Sequence, residues 1–158
     1  MAAMKKYWKQ FKWRGLMREI NFICDEQASC LLAKLLAKNA KAGDCFALHG
    51  DLGTGKSTFA RAFIQELCGD DTSVASPTFT ISQSYETQDK QQIWHYDLYR
   101  IENQEELFEI GIVDTISCTI NLIEWPEIAK SILPSQTINI SFAFSEKADY
   151  RHINIEKV

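Results

Sequence analysis

No apolar run in this chain approaches the ~18 residues needed to cross a bilayer, and the N-terminus lacks the apolar core of a signal peptide. A membrane-spanning role is therefore not expected. Among the cysteines, Cys24, Cys30, Cys45, Cys68 and Cys118, no pair has C-x-x-C spacing, and their number is odd. That argues against a disulfide or zinc framework and for reduced thiols in a cytoplasmic protein, several of them packed as small core residues. The chain also lacks a basic face. Net charge is −4 with a pI near 5.4, and beyond the first eighteen residues Lys and Arg are scattered. An autonomous tRNA or DNA binder carries a basic patch, so any nucleic acid would be held mainly by a partner. No linker-like segment, internal repeat or low-complexity stretch divides the 158 residues. One domain over 17–158 is expected.

Met1 to Gly15 stands apart as basic and aromatic, with Lys5, Lys6, Trp8, Lys9, Lys12, Trp13 and Arg14. It is read as a poorly ordered extension, 1–16, because Met17 stands just before the first patterned segment. A membrane-surface or nucleic-acid arm is the rival reading.

What the chain does contain is one complete G-x-x-x-x-G-K-[ST] loop, Gly50-Asp51-Leu52-Gly53-Thr54-Gly55-Lys56-Ser57. The apolar run Cys45-Phe46-Ala47-Leu48 leads into it and an amphipathic run from Lys56 to about Leu67 leads out, which is the strand–loop–helix context the motif requires. The glycines let successive N–H groups curl around phosphate oxygens, and the helix adds the positive end of its dipole. Lys56 is expected to reach the β- and γ-phosphates, and the Ser57 hydroxyl to ligate Mg²⁺; Thr54 and Thr58 contribute through their amides.

Around the loop the patterns alternate between strand and helix. Arg18 to Cys24 reads as a strand, and Asp25 is placed to cap a helix through Leu31, Leu32, Leu35 and Leu36. After the loop, Phe59, Phe63 and Leu67 give the helix a buried stripe that Gly69 ends. Phe79, Ile81 and Tyr85, then Ile93 to Leu98, read as an antiparallel hairpin. Asn103 with Glu106 resembles a capping box ahead of Leu107, Phe108 and Ile110. Thr119 to Glu124 is a further short strand, which Pro126 should end, and Ile138 to Phe144 with Ile153 and Ile155 form a closing hairpin. The expected fold class is α/β, a P-loop NTPase-type three-layer fold whose mixed sheet joins parallel strands to antiparallel hairpins.

A phosphate loop needs an acid at the end of a neighbouring strand, able to ligate Mg²⁺ directly or through water. Glu124 and Asp97 have that context. Glu124 follows the more apolar run, although Asn121 interrupts it; Asp97 either orients water or is a turn acid before Tyr99-Arg100. His95 reads as a packed core group sooner than a metal ligand or base. Ser76-Pro77-Thr78-Phe79 is either a plain turn or a loop sensing the γ-phosphate.

The order Gly50 to Ser57, Ser76-Pro77-Thr78-Phe79, His95-Tyr96-Asp97-Leu98-Tyr99-Arg100, Glu124-Trp125-Pro126-Glu127 resembles the bacterial TsaE (YjeE) family, from about Ile20 to Ile155. The resemblance implies a P-loop ATPase using ATP and Mg²⁺ in the threonylcarbamoyl modification (t6A) of tRNA. It docks on the TsaB–TsaD pair, and tRNA is met only through that complex. Carried over by motif, Gly53, Thr54, Gly55, Lys56, Ser57 and Thr58 hold the phosphates, Ser57 and Glu124 the metal, and Asp97 is a further acid at the active site, while Trp125 lies beside Glu124. The family's base-proximal segments correspond to Asp25 and to Tyr150-Arg151, where Tyr150 stands in place of glycine. A small-molecule P-loop kinase and a non-enzymatic nucleotide-gated binding module are the rival classes. The kinase is disfavoured because Arg151 is the only arginine after Glu124, and a GTPase because the chain has no N-K-x-D signature.

Overall fold

A computed structural model of the chain describes residues 19–157; the expected extension, 1–16, lies outside them. Seven strands form one sheet: β1 (Glu19–Asp25), β2 (Cys45–His49), β3 (Ser82–Glu86), β4 (Gln92–Asp97), β5 (Ile120–Glu124), β6 (Ile138–Phe144) and β7 (Tyr150–Lys157). Their spatial order is β1-β7-β6-β2-β5-β4-β3. The four inner strands, β6, β2, β5 and β4, run parallel, and antiparallel pairs close both sides, β4 with β3 and β6 with β7 and then β1. Of the inner strands, β2 and β5 are covered on both faces, which suits their largely apolar sequences, whereas β6 alternates between buried and more open positions. Every residue of β5 is buried, as is β2 up to Leu48.

On one face lie α1 (Glu26–Ala37) and α2 (Lys56–Cys68), packing Leu32, Leu36, Phe59, Phe63 and Ile64 against Phe46, Leu48, Leu122 and Ile140. The other face is covered by α3 (Gln104–Glu109), α4 (Ile112–Thr115) and the 3-10 turn Pro126–Ala129, which bury Leu107, Ile112 and Ala129 against Tyr96 and Ile123. This is the expected three-layer α/β arrangement, with a mixed sheet. All five cysteines are free, and burial pushes the Cys45 thiol up to about 12, as befits a packed core group.

Asp25 caps α1 through Oδ1, which accepts from the Ala28 N–H at 2.9 Å. Gly69 ends α2 at φ +116°. The capping box of α3 forms, the Glu106 carboxylate accepting from the Asn103 N–H at 3.0 Å. Asn121, which interrupts the apolar run of β5, is fully buried and donates its amide to the carbonyls of Thr119 at 3.0 Å and Ile116 at 3.3 Å. It fastens the strand to the turn before it.

One expectation is corrected. The strand expected from Phe79 begins only at Ser82, because Ile81 turns to φ +65° and donates its N–H to the Pro77 carbonyl at 2.6 Å. Phe79 is then left 83 % exposed, under the Arg100 guanidinium. Phe108 faces outward, since so short a helix buries only Leu107. Phe144 is exposed as well, beyond the last covered residue of β6.

Candidate functional site

The parallel strands β2, β4, β5 and β6 all end on one edge of the sheet, and the loop 50–55 leaves β2 there. Gly50, Gly53 and Gly55 hold φ values of +132°, +79° and +106°. Gly55 precedes α2 with no side-chain cap, and the first N–H paired within the helix is that of Phe59, to the Gly55 carbonyl at 2.9 Å. The N–H groups of the first turn are thus available to an anion, reinforced by the dipole of a thirteen-residue helix. The Thr54 hydroxyl donates to the Asp51 carbonyl at 2.8 Å and its N–H to the same carbonyl at 3.4 Å, so Thr54 closes the turn of the loop.

Parallel register sets Asp97 opposite Glu124 and Leu48 beside Glu124, so both acids stand at strand ends next to the loop. The backbone around Glu124 is pinned on each side: Leu98 N–H donates to the Glu124 carbonyl at 3.0 Å and Trp125 N–H to the Leu48 carbonyl at 3.3 Å. Both carboxylates are almost wholly buried. Glu124 Oε2 accepts from the Ser57 hydroxyl at 2.8 Å, and Oε1 lies 2.9 Å from His95 Nε2. Asp97 Oδ2 accepts from the Thr78 hydroxyl at 2.7 Å and Oδ1 from the Tyr99 N–H at 3.1 Å.

Lys56 is buried and donates to the carbonyls of Gly50 at 2.6 Å and Asp51 at 2.9 Å, with its ammonium 4.0 Å from the centre of the Trp125 ring. Burial pushes its pKa below the ordinary lysine value, while Glu124, Asp97, Glu127 and Asp51 pull the other way. Trp125 takes a left-handed backbone conformation, φ +55°, that turns its ring over Lys56 and against Tyr99, 5.0 Å between ring centres.

These side chains line a cleft of about 240 Å³ formed by Leu52, Gly53, Gly55 to Thr58, Thr78, Asp97, Tyr99, Glu124 and Trp125. Its volume falls below the ~300 Å³ at which pockets for whole small molecules begin, and suits the phosphate end of a nucleotide. Two carboxylates against one ammonium would repel a polyphosphate, so the lining calls for a divalent cation. Ser57 and Glu124 fit one: both offer oxygen, and with its O–H directed at Glu124 the Ser57 hydroxyl keeps its lone pairs for a hard ion. Among the described residues no three His, Cys, Asp or Glu side chains are grouped to hold a metal. Two protein oxygens would leave most of a hard cation's coordination to ligands from outside the chain.

From the residues singled out in the sequence the cleft gathers Gly53, Gly55 to Thr58, Asp97, Glu124 and Trp125, while Thr54 is buried behind the loop and does not line it. Asp25 and Arg151 are also outside it. They lie at the same end of the sheet, where β1 ends and β7 begins, with Asp25 capping α1 and Arg151 stacked on Phe144 at 4.9 Å. Sequence reasoning missed the contact of His95 with Glu124. The signal was present in the two-residue spacing of His95 and Asp97, which puts both on one face of β4.

The family model for "Threonylcarbamoyl adenosine biosynthesis protein TsaE" matches residues 23–153. A TsaE from Rickettsia felis is 42 % identical over 117 residues, 74 % of this chain and 68 % of the relative. One from Bacillus subtilis is 35 % identical over 133 residues, 84 % and 77 % of the two chains. Among solved structures, Bacillus YdiB superposes with a TM-score of 0.70 at 28 % identity, covering 90 % of this chain and 88 % of that one.

Proposed function

Because the chain belongs to the TsaE family of threonylcarbamoyl adenosine biosynthesis proteins, we propose that it is a Mg²⁺-dependent ATPase serving the t6A machinery through the TsaB–TsaD pair. The observation that carries this reading is the 2.8 Å contact between Ser57, at the head of α2, and Glu124, at the end of β5. It joins a phosphate loop to a strand-end acid, the pair that a nucleoside triphosphate with its cation requires.

In this reading the N–H groups of Gly53 to Thr58 cradle the phosphates, and Lys56 exchanges its two carbonyl partners for phosphate oxygens. Ser57 and Glu124 hold Mg²⁺, directly or through its water shell. The ion supplies neutralisation of phosphate charge. Asp97, anchored by Thr78 and Tyr99, orients the attacking water. Asp25 and Arg151 lie on the side toward which the base would extend. Among the described residues no arginine lines the cleft, which supports slow hydrolysis by the chain alone, an arginine supplied by a partner being worth roughly a thousandfold or more in such enzymes.

The test is single-turnover hydrolysis of ATP with Mg²⁺ and with EDTA, in the parent and in E124Q, followed by tRNA modification reconstituted with TsaB and TsaD. Magnesium-dependent hydrolysis that drops about a hundredfold or more in E124Q, with nucleotide still bound, is the expected result. Parent-like hydrolysis in E124Q would demote Glu124 to a structural acid. Repeated turnover of the modification without this chain would remove its place in the machinery.

A further inference from the structure

We infer that His95 is a positioning residue for Glu124: its Nε2–H holds one carboxylate oxygen so that the other stays aimed at Ser57 and the cation Ser57 serves. The inference rests on Glu124 being the acid of the magnesium site.

The side chain of His95 is 1 % exposed, and that of Glu124 2 %. The two oxygens of Glu124 are engaged separately, Oε1 by His95 and Oε2 by Ser57, so two contacts from two elements fix the plane of the carboxylate. A carboxylate only accepts, and the proton in the histidine contact is therefore on Nε2. His95 Nδ1 is buried with no hydrogen-bond partner. An unpaired buried polar atom carries a desolvation penalty that an apolar ring in the same space would avoid. Filling volume thus does not account for a histidine here, whereas donation to Glu124 does.

His49 supplies the contrast within the same molecule. Both its ring nitrogens are engaged, Nδ1 with Glu127 at 2.9 Å and Nε2 with Asn139 at 2.9 Å, and it fastens the start of the loop to β6 and the 3-10 turn. The His95 ring makes one hydrogen bond, and its partner is the acid of the cleft. Glutamate has three side-chain torsions to order, and a fixed hydrogen bond from a rigid ring on β4 orders them before a cation arrives. Ser57 alone could not do this, since its hydroxyl must also answer to the ion.

The test reads the ring and the metal separately. Nitrogen NMR of the full chain, with the His95 signals assigned by their loss in H95Q, should show a proton on Nε2 and a bare Nδ1. A proton on Nδ1 with a bare Nε2 overturns the inference. ATP binding is then titrated in EDTA and against Mg²⁺ for the parent, H95F, H95Q and E124Q. In H95F, binding in EDTA should match the parent while the Mg²⁺ concentration needed rises by about tenfold to a hundredfold. In H95Q, whose amide N–H can replace Nε2–H, most of that loss should be recovered. A parent-like magnesium requirement in H95F, or an H95Q no better than H95F, overturns the inference. Should H95F fail to fold, the ring tautomer and the H95Q requirement decide. An unchanged requirement in E124Q would instead strike at Glu124 itself, which keeps the two failures apart.

Discussion

The Thr78 hydroxyl donates to Asp97 Oδ2 at 2.7 Å, tying the turn after Ala75 to an acid of the cleft. Within the turn Pro77 is buried and the Ser76 and Thr78 hydroxyls lie 2.8 Å apart. Phe79 is exposed, and the backbone is anchored by Ile81, whose carbonyl accepts from the Asp97 N–H at 2.9 Å. The same aspartate thus orders the segment 77–81 through both its side chain and its main chain.

A double-mutant cycle on T78V and D97A measures this tie. Hydrogen bonds to charged groups are worth about 1.5–3 kcal/mol, and the two substitutions should be non-additive by about that amount in denaturant unfolding. T78V should also slow hydrolysis while leaving ADP binding intact. Additive stabilities would mean that Thr78 and Asp97 act independently.

The stacking of Lys56 on Trp125 predicts an optical signal. Phosphates would draw the ammonium from its place 4.0 Å above the indole, and the emission of Trp125 should change on adding ATP. W125F should lose the change, and W94F, with a ring stacked on Tyr96 on the opposite face, should keep it. A signal that survives W125F would come from another tryptophan and would remove its assignment to the Lys56 contact.

Much of this arrangement was legible in the sequence. The glycine spacing of 50–57 and the apolar runs of β2 and β5 specify strand, loop and helix locally, and the alternation in β6 and β7 specifies a hairpin. What could not be read is set by register and by single backbone angles. Whether Glu124 meets Asp97 or a neighbour depends on how β5 slides along β4. The positive φ of Ile81, a β-branched residue for which propensity forbids it, cut short a strand whose alternation was otherwise clean. Asn121 looked like a flaw in β5 because its acceptors, carbonyls of the preceding turn, exist only in the folded chain.

The lowered pKa of Lys56 has a definite consequence for stability. Burial disfavours the ammonium in the folded protein, so the unfolded chain binds its proton more tightly, and stability rises with pH between the folded value and the ordinary 10.5. K56M removes that contribution. The difference in melting temperature, K56M minus parent, should therefore be most positive near neutral pH and fall as pH is raised toward 10.5. A difference that stays constant or grows with pH would show that the lysine is not penalised by burial.

Gly50 and Gly53 separate close approach from backbone freedom. Both lie at positive φ, +132° and +79°, and alanine at either would carry a conformational cost of about 1–2 kcal/mol. At Gly53 that is the whole cost, since a Cβ meets nothing within 4 Å. At Gly50 a Cβ would come within 2.3 Å of the Phe142 carbonyl oxygen, on β6, and 3.1 Å of the Thr54 hydroxyl. The carbonyl belongs to the strand paired with β2 at the adjoining residue, His49 with Ser141, so it cannot withdraw without opening the sheet at the root of the loop. Overpacking of this kind adds about 1–3 kcal/mol. G50A should accordingly unfold at a lower denaturant concentration than G53A, and hydrogen exchange should quicken in β6 around Phe142 in G50A alone. Equal midpoints with unchanged exchange would mean that β6 and the loop do not touch as described.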